Sequence, residues 1–223
     1  MTTNAEIEYG NSGPFRLRPQ EKLSEAFCEE LKKINAGRPT HDVYCRRVEK
    51  LFGLKPFPIT KETKIWLSGF IEGEGSVSVG AKKNKNATFG VELDPCLNIT
   101  QHVNGIQHLY TALRVFGAGR IRYKVGSNAT LVFSITTRRT LVEKVIPYIN
   151  EYAYKPSCLT KKERYKNYEL LLNLFDERAH LDRTRMIEEV LPLWNEMRMQ
   201  SGYRGETFVS LQAAQDFVRN YVQ

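Results

Sequence analysis

The stretch that most constrains this chain is Trp66-Leu67-Ser68-Gly69-Phe70-Ile71-Glu72-Gly73-Glu74-Gly75. Leu67, Phe70 and Ile71 recur at i, i+3, i+4, a spacing that predicts one face of a helix. Gly69 and Gly73 are four apart and share a face. A glycine inside a helix costs about 1 kcal/mol against alanine, so two on one face imply close approach of another helix. Gly75 reads as a helix stop. Glu72 and Glu74 then fall in the last turn, where the macrodipole is negative and acids are unfavourable. A divalent cation held by oxygen ligands removes that conflict. The plainer alternative is a surface helix ending in two solvated glutamates. The next residues, Ser76-Val77-Ser78-Val79, alternate polar and apolar as a half-buried strand does.

Charge points to a partner. The chain has 223 residues and a formal net charge of +8. Residues 61–140 carry 11 basic against 5 acidic side chains, whereas 141–223 carry 12 of each. The excess therefore sits in the segment that the glycine-rich stretch opens, and a basic region of this kind suits a polyanion. The four cysteines, Cys28, Cys45, Cys96 and Cys158, form no Cys-x-x-Cys pair, which indicates neither a zinc site nor a disulfide framework. No apolar run is long enough to span a membrane. The N-terminus has no signal-peptide core, and Glu6 and Glu8 give no transit-peptide pattern.

Residues 1–20 read as an irregular polar arm carrying Arg16 and Arg18. Leu23, Phe27, Leu31 and Ile34 predict a helix ended by Gly37, and Val43, Val48, Leu51 and Phe52 a second ended by Gly53. The helix of the glycine-rich stretch is expected to start at Thr60 or Thr63. A strand follows over about 76–83, with Val77 and Val79 on one face and Ser76, Ser78 and Lys82 on the other. Lys83-Asn84-Lys85-Asn86 is the turn into a return strand near 88–101, which Asp94-Pro95 is expected to interrupt with a bulge. A helix over 103–116 ends at Gly117. A hairpin then sets Arg120, Arg122 and Lys124 on one face and Ile121, Tyr123 and Val125 on the other, turning at Gly126-Ser127-Asn128. Its return strand alternates Leu131, Phe133 and Ile135 with Val132, Ser134 and Thr136. Three cations on one sheet face repel one another unless an anion lies across them. Helices are expected over 140–152, 160–177, 183–199 and 210–222. In these, Leu170, Leu171, Leu174, Phe175, Trp194, Met197 and Met199 would pack inward, and Phe217 and Tyr221 would anchor the last helix. The expected segments are 1–59, 60–178 and 179–223, within a single compact domain.

Leu67 to Gly75 resembles the nine-residue motif of the LAGLIDADG homing endonucleases, with serine for a small residue and glutamate for both aspartates. Asn98 to Gly105, Gly126 to Val132, Glu143 to Pro147 and Ala213 to Phe217 resemble a single-motif, homodimeric group encoded in introns of organellar large-subunit ribosomal RNA genes. The resemblance covers about residues 20–222. It implies an α+β fold in the order αββαββα, with a curved antiparallel sheet as a saddle for DNA and helical extensions at both ends. It implies metal-dependent phosphodiester hydrolysis at an intron insertion site, leaving short 3′ overhangs. Glu74 would bind Mg²⁺, or another divalent cation such as Mn²⁺, with help from the Gly73 carbonyl. Gln101 would position the attacking water, and Lys161 or Lys162 would stabilise the transition state. The family often has a basic residue four positions after that glutamine; here the position is Gly105. Trp66, Ser68, Gly69 and Gly73 would form the dimer interface, and a twofold dimer matches a pseudo-palindromic double-stranded DNA target.

Arg and Lys donate to guanine edges in the major groove, and a two-stranded ribbon fits there. Ser78, Lys82, Lys85, Arg120, Arg122, Lys124, Asn128 and Thr136 are the expected base or phosphate contacts. The host compartment would be a chloroplast or mitochondrion if the gene is organellar, and the cytoplasm otherwise. A different class of function is a non-cutting protein of the same fold, either a maturase that binds its intron RNA or a DNA-binding regulator. The acid at position 74 favours cleavage. A two-carboxylate hydrolase built on Glu72 and Glu74 is disfavoured, because residues two apart on a helix point in different directions.

Overall fold

The computed structural model describes residues 17–18, 20–200 and 207–222; Arg16 and the rest of the expected polar arm before it lie outside them. Among the described residues, eight longer helical elements and four strands follow in order, besides short 3-10 turns at Val103–Gly105 and Ala179–Leu181: α1 (Glu25–Asn35), α2 (His41–Phe52), α3 (Lys61–Glu74), β1 (Gly75–Lys83), β2 (Val91–His102), α4 (Ile106–Phe116), β3 (Arg120–Tyr123), β4 (Thr130–Ile135), α5 (138–153), α6 (Leu159–Asp176), α7 (183–200) and α8 (Leu211–Arg219). The strands form one antiparallel sheet in the order β1-β2-β4-β3. This is the expected α+β class. Among the described residues no helix is long and apolar enough to cross a membrane.

The chain forms two compact units. One unit runs up to Gly75 and adds Asn98–Ile135; the other joins Ser76–Leu97 to Thr136–Gln223.

In the first unit Phe27, Phe52, Leu67, Ile71, Leu109 and Phe133 are buried, and Phe27 meets Phe52 edge-on at 5.5 Å. Gly53 and Gly117 end α2 and α4 at φ 64° and 57°, a left-handed conformation that a β-carbon penalises. β3 is an edge strand, and side chains close that edge. The Tyr44 hydroxyl accepts from the Ile121 N–H at 2.8 Å and donates to the Ile121 carbonyl at 3.2 Å. Asn35 Nδ2 donates to the same carbonyl at 3.0 Å. β3 stops at Tyr123, and Val125 is 90% exposed. Val125 therefore belongs to the turn and not to the apolar face expected of it.

In the second unit Val77, Leu97, Leu141, Tyr168, Val190 and Trp194 are buried. The outer edge of β1 is closed in the same way. The Val77 carbonyl accepts from Arg164 at 3.4 Å, that of Val79 from Trp194 Nε1 at 3.1 Å and that of Ala81 from the Thr207 hydroxyl at 2.9 Å. Alternate residues of a strand turn their carbonyls to the same edge, so three donors at every second residue occupy it. A bare edge would otherwise invite another chain to pair. The rings of Phe217 and Tyr221 press on Gly90, where a β-carbon would collide with both; these two are the anchors expected of the last helix. Leu170 and Met199 are 44% and 65% exposed, so neither packs inward as expected.

β2 runs through Asp94-Pro95 without the expected break. Just past its end, the Val103 N–H donates to the Ala129 carbonyl at 2.8 Å. The Leu93 carbonyl accepts from the Arg138 side chain at 3.1 Å. α5 contains two wider π-type stretches, Leu141–Val145 and Ile149–Ala153, flanking Pro147, whose ring and missing N–H disfavour regular α turns.

Candidate active site

α3 is fixed at its start by a reciprocal cap. The Thr60 hydroxyl accepts from the Thr63 N–H at 3.3 Å, and the Thr63 hydroxyl accepts from the Thr60 N–H at 3.4 Å. One face of the helix buries Leu67, Ser68 and Ile71. The opposite side carries Ile65 (53% exposed), Trp66 (45%), Gly69 and Gly73, and a β-carbon at either glycine would meet nothing within 4 Å. Ser68 was expected at an interface; it is instead 5% exposed and donates to the Ile65 carbonyl at 2.7 Å. It faces its own chain. Trp66 stacks on Phe70 at 5.4 Å, and both rings lie against His108, at 5.1 and 4.8 Å.

The helix passes into β1 with no loop. Gly75 is extended (φ −97°, ψ 151°), so it ends the helix without the left-handed turn typical of a glycine stop. Glycine is needed there for space, because a β-carbon would lie 2.8 Å from Ile71 Cγ2 and 2.9 Å from the Ile71 carbonyl oxygen. This tight junction sets Glu74, the last helical residue, in solvent, while Glu72 is half-buried. Gly73 belongs to the last four carbonyls of α3, the set without intrahelical donors.

Carboxylate and carbonyl oxygens at the negative end of a helix are a donor set that suits a hard cation such as Mg²⁺ or Mn²⁺. Among the described residues no group of three His, Cys, Asp or Glu could hold a metal alone. A cation at Glu74 would therefore complete its shell with water, nucleic-acid oxygens or a second copy of the chain.

Gln101 lies near the end of β2, in the same unit as Glu74. Its Oε1 accepts from the His102 N–H at 2.8 Å, and its amide nitrogen remains a donor. The hairpin offers Arg122, Lys124 and Asn128 exposed. Arg120 differs: its guanidinium donates to the carbonyls of Gly119 and Pro39, both at 2.9 Å, and covers the Tyr44 ring at 4.4 Å. Ser134 donates to Asn98 Oδ1 at 2.7 Å, a polar pair on the solvent face of the sheet that sequence reading missed. Strand alternation alone could have found it.

On the second unit, Lys82 is paired with Asp94 at 2.8 Å and Glu92 at 3.2 Å. Hydrogen bonds to Asp94 and then Glu92 hold its ammonium above the usual lysine range. Glu92 is held below the usual carboxylate range by Asn84 and then Lys82. The Ser78 hydroxyl meets the Cys96 thiol at 3.2 Å. Lys85 and Thr136 are exposed. Lys161 and Lys162 lie in the first turn of α6, their N–H groups donating to the Cys158 carbonyl at 3.1 and 3.0 Å. That turn holds no acid and is the positive end of the helix dipole, a poor place for two cations unless an anion comes to it. Lys162 also lies over the Tyr154 ring at 5.9 Å.

Residues 67–173 match the family model described as LAGLIDADG endonuclease, and the chain belongs to that family. Within it, the chain is 47% identical over 210 residues to DNA endonuclease I-CeuI of Chlamydomonas moewusii, across 93% of this chain and 96% of that protein. The solved complex of the group I intron-encoded homing endonuclease I-CeuI with DNA superposes with a TM-score of 0.87 at 44% identity, covering 92% of this chain and all of that one. The archaeal intron-encoded homing endonuclease I-Vdi141I, also solved with DNA, gives a TM-score of 0.63 at 27% identity, over 71% of this chain and 95% of its own.

Proposed function

We propose that this chain is a site-specific homing endonuclease that hydrolyses both strands of a DNA target at an intron insertion site, in a large-subunit ribosomal RNA gene, leaving short 3′ overhangs. The observation that carries the reading is the solvent-facing Glu74 at the negative end of a helix that runs without a loop into the sheet. A bare surface acid there would be disfavoured by the helix dipole; an acid that holds a cation is not.

Glu74, with the Gly73 carbonyl, is the proposed holder of Mg²⁺ or Mn²⁺. A cation so held offsets charge on the scissile phosphate and acidifies bound water. Gln101, whose Oε1 is taken by the His102 N–H, would use its amide nitrogen to donate to the attacking water. One of Lys161 and Lys162 donates to the phosphate as its charge grows. Arg122, Lys124, Lys85, Asn128, Ser78 and Thr136 are the proposed DNA contacts. Arg120, Lys82 and Ser78 rank behind the others because their polar groups already have partners within the chain. Two copies would meet at the exposed α3 face of Ile65, Trp66, Gly69 and Gly73, each supplying one Glu74, as a pseudo-palindromic target requires. The working compartment is an organelle, chloroplast or mitochondrion, if the gene is organellar.

The test is cleavage of a plasmid carrying the candidate insertion site. Linearisation is expected with Mg²⁺ and not with chelator, and Glu74→Gln is expected to bind the DNA but cut at least about 100-fold more slowly, the scale of losing one electrostatic catalytic group. Full cutting by Glu74→Gln would overturn the assignment of the metal. Tight binding without cutting by the wild-type chain would favour the maturase or regulator reading.

A further inference from the structure

We propose that Gly105 is a positioning residue for Gln101: the absence of a side chain at 105 is what lets the Gln101 carboxamide lie where it does. The inference rests on the reading of Gln101 as the group that orients water.

Backbone conformation does not call for glycine here. Gly105 has φ −97° and ψ 22°, which any L-residue adopts with little strain. Space does call for it. A β-carbon at 105 would lie 2.6 Å from Gln101 Cγ and 2.9 Å from Gln101 Cδ, with His108 Cδ2 at 3.3 Å. Two of these distances are inside the range that real β-carbons avoid, so something must move.

The surroundings decide what moves. The turn that carries Gly105 is tied down at several points. Val103 N–H donates to the Ala129 carbonyl at 2.8 Å, and Asn104 N–H to His102 Nδ1 at 3.3 Å. The Asn104 side chain holds Leu17 twice, accepting from its N–H at 3.0 Å and donating to its carbonyl at 2.8 Å. His108 is backed by the rings of Trp66 and Phe70 and has little room to retreat. Gln101 is the yielding part: its carboxamide is held by one bond to the neighbouring His102 N–H, and its stem is flexible. A side chain at 105 therefore drives the Gln101 amide away from its present direction while the turn stays put. Gly105 thus serves the site by being small and supplies no charge of its own.

Gly105→Ser is the useful variant. Serine is small and its hydroxyl can meet solvent at this half-buried position, so the change is the least that still puts a β-carbon against Gln101. Single-turnover cleavage is expected to fall about 100-fold, the scale of a misplacement of about 1 Å. DNA affinity and melting temperature should stay at the wild-type values. The same change made in a Gln101→Ala background should slow cutting no further, since its effect runs through that side chain. Wild-type cutting by Gly105→Ser, or an equal loss in the Gln101→Ala background, would overturn the positioning role alone. Wild-type cutting by Gln101→Ala would instead overturn the role of Gln101 and this inference with it. A 15N spectrum provides a readout apart from activity: the Gln101 side-chain amide pair should shift in Gly105→Ser while the backbone amides of β3 do not.

Discussion

Replacing Tyr44 by phenylalanine removes one oxygen from the interior and tests how the β3 edge is held. Tyr44 is fully buried, and its hydroxyl bonds both the N–H and the carbonyl of Ile121. The carbonyl keeps a second donor in Asn35. The N–H loses its partner, and a buried donor left unsatisfied costs about 1–3 kcal/mol. For a chain of this size each kcal/mol lowers Tm by about 2–4 °C, so a loss of about 2 kcal/mol should appear as a fall of about 4–8 °C by circular dichroism. The Ile121 amide should exchange with solvent faster than its neighbours. Alkali gives a second readout. Burial pushes the Tyr44 hydroxyl up to about 12, against about 10 in an unfolded chain. Because the folded value is the higher, the linked stability is complete below pH 10 and drains away as pH rises from 10 to about 12. That difference corresponds to at most about 2.7 kcal/mol. Phenylalanine has no proton to lose, so the gap between wild type and variant should narrow across that window. A Tm within about 1 °C of wild type, or a gap that pH does not change, would refute the claim that this hydroxyl holds the edge.

Other perturbations separate the proposed roles of the surface. Arg122→Ala should weaken DNA binding and lower the slope of log K against log salt by about one per subunit if it contacts phosphate; an unchanged slope would remove it from the interface. Gly69→Leu places a side chain where the single chain has open space, so it should fold normally but sediment as a monomer and fail to cut, and an unaltered dimer would locate the interface elsewhere. Trp194→Phe removes the donor to the Val79 carbonyl and should cost about 1 kcal/mol in urea unfolding, with the loss concentrated in β1 amide protection.

The parts legible from sequence were those with a local cause. The apolar spacing in α1 and α2, the Thr60 cap, the alternation in the 120–135 hairpin and the acid at position 74 each follow from a few neighbouring residues. Misreadings came where a distant residue decides. Asp94-Pro95 looks like a strand breaker, yet β2 runs on through it, and the nearby Leu93 carbonyl accepts from Arg138, 45 positions on. Leu170 and Met199 fit a helical stripe whose far side happens to face solvent. Ser68 sits in the motif beside the exposed face, and only its burial against the rest of the chain shows that it turns inward. Gly105 read as a missing cation, because nothing in the sequence says that its neighbour four residues earlier occupies the space above it.

The donors along the outer edge of β1 also bear on how the chain is made. They belong to Arg164, Trp194 and Thr207, and the last bond spans 126 residues of sequence. A ribosome adds about 5–20 residues per second, so β1 emerges several seconds or more before the residues that shield it exist. Throughout that interval an unpaired strand edge is exposed in a growing chain. A hazard of self-association is therefore set by the order of synthesis and not by the finished fold. Slowing translation between codons 84 and 207 should lower the soluble yield more than slowing it after 207.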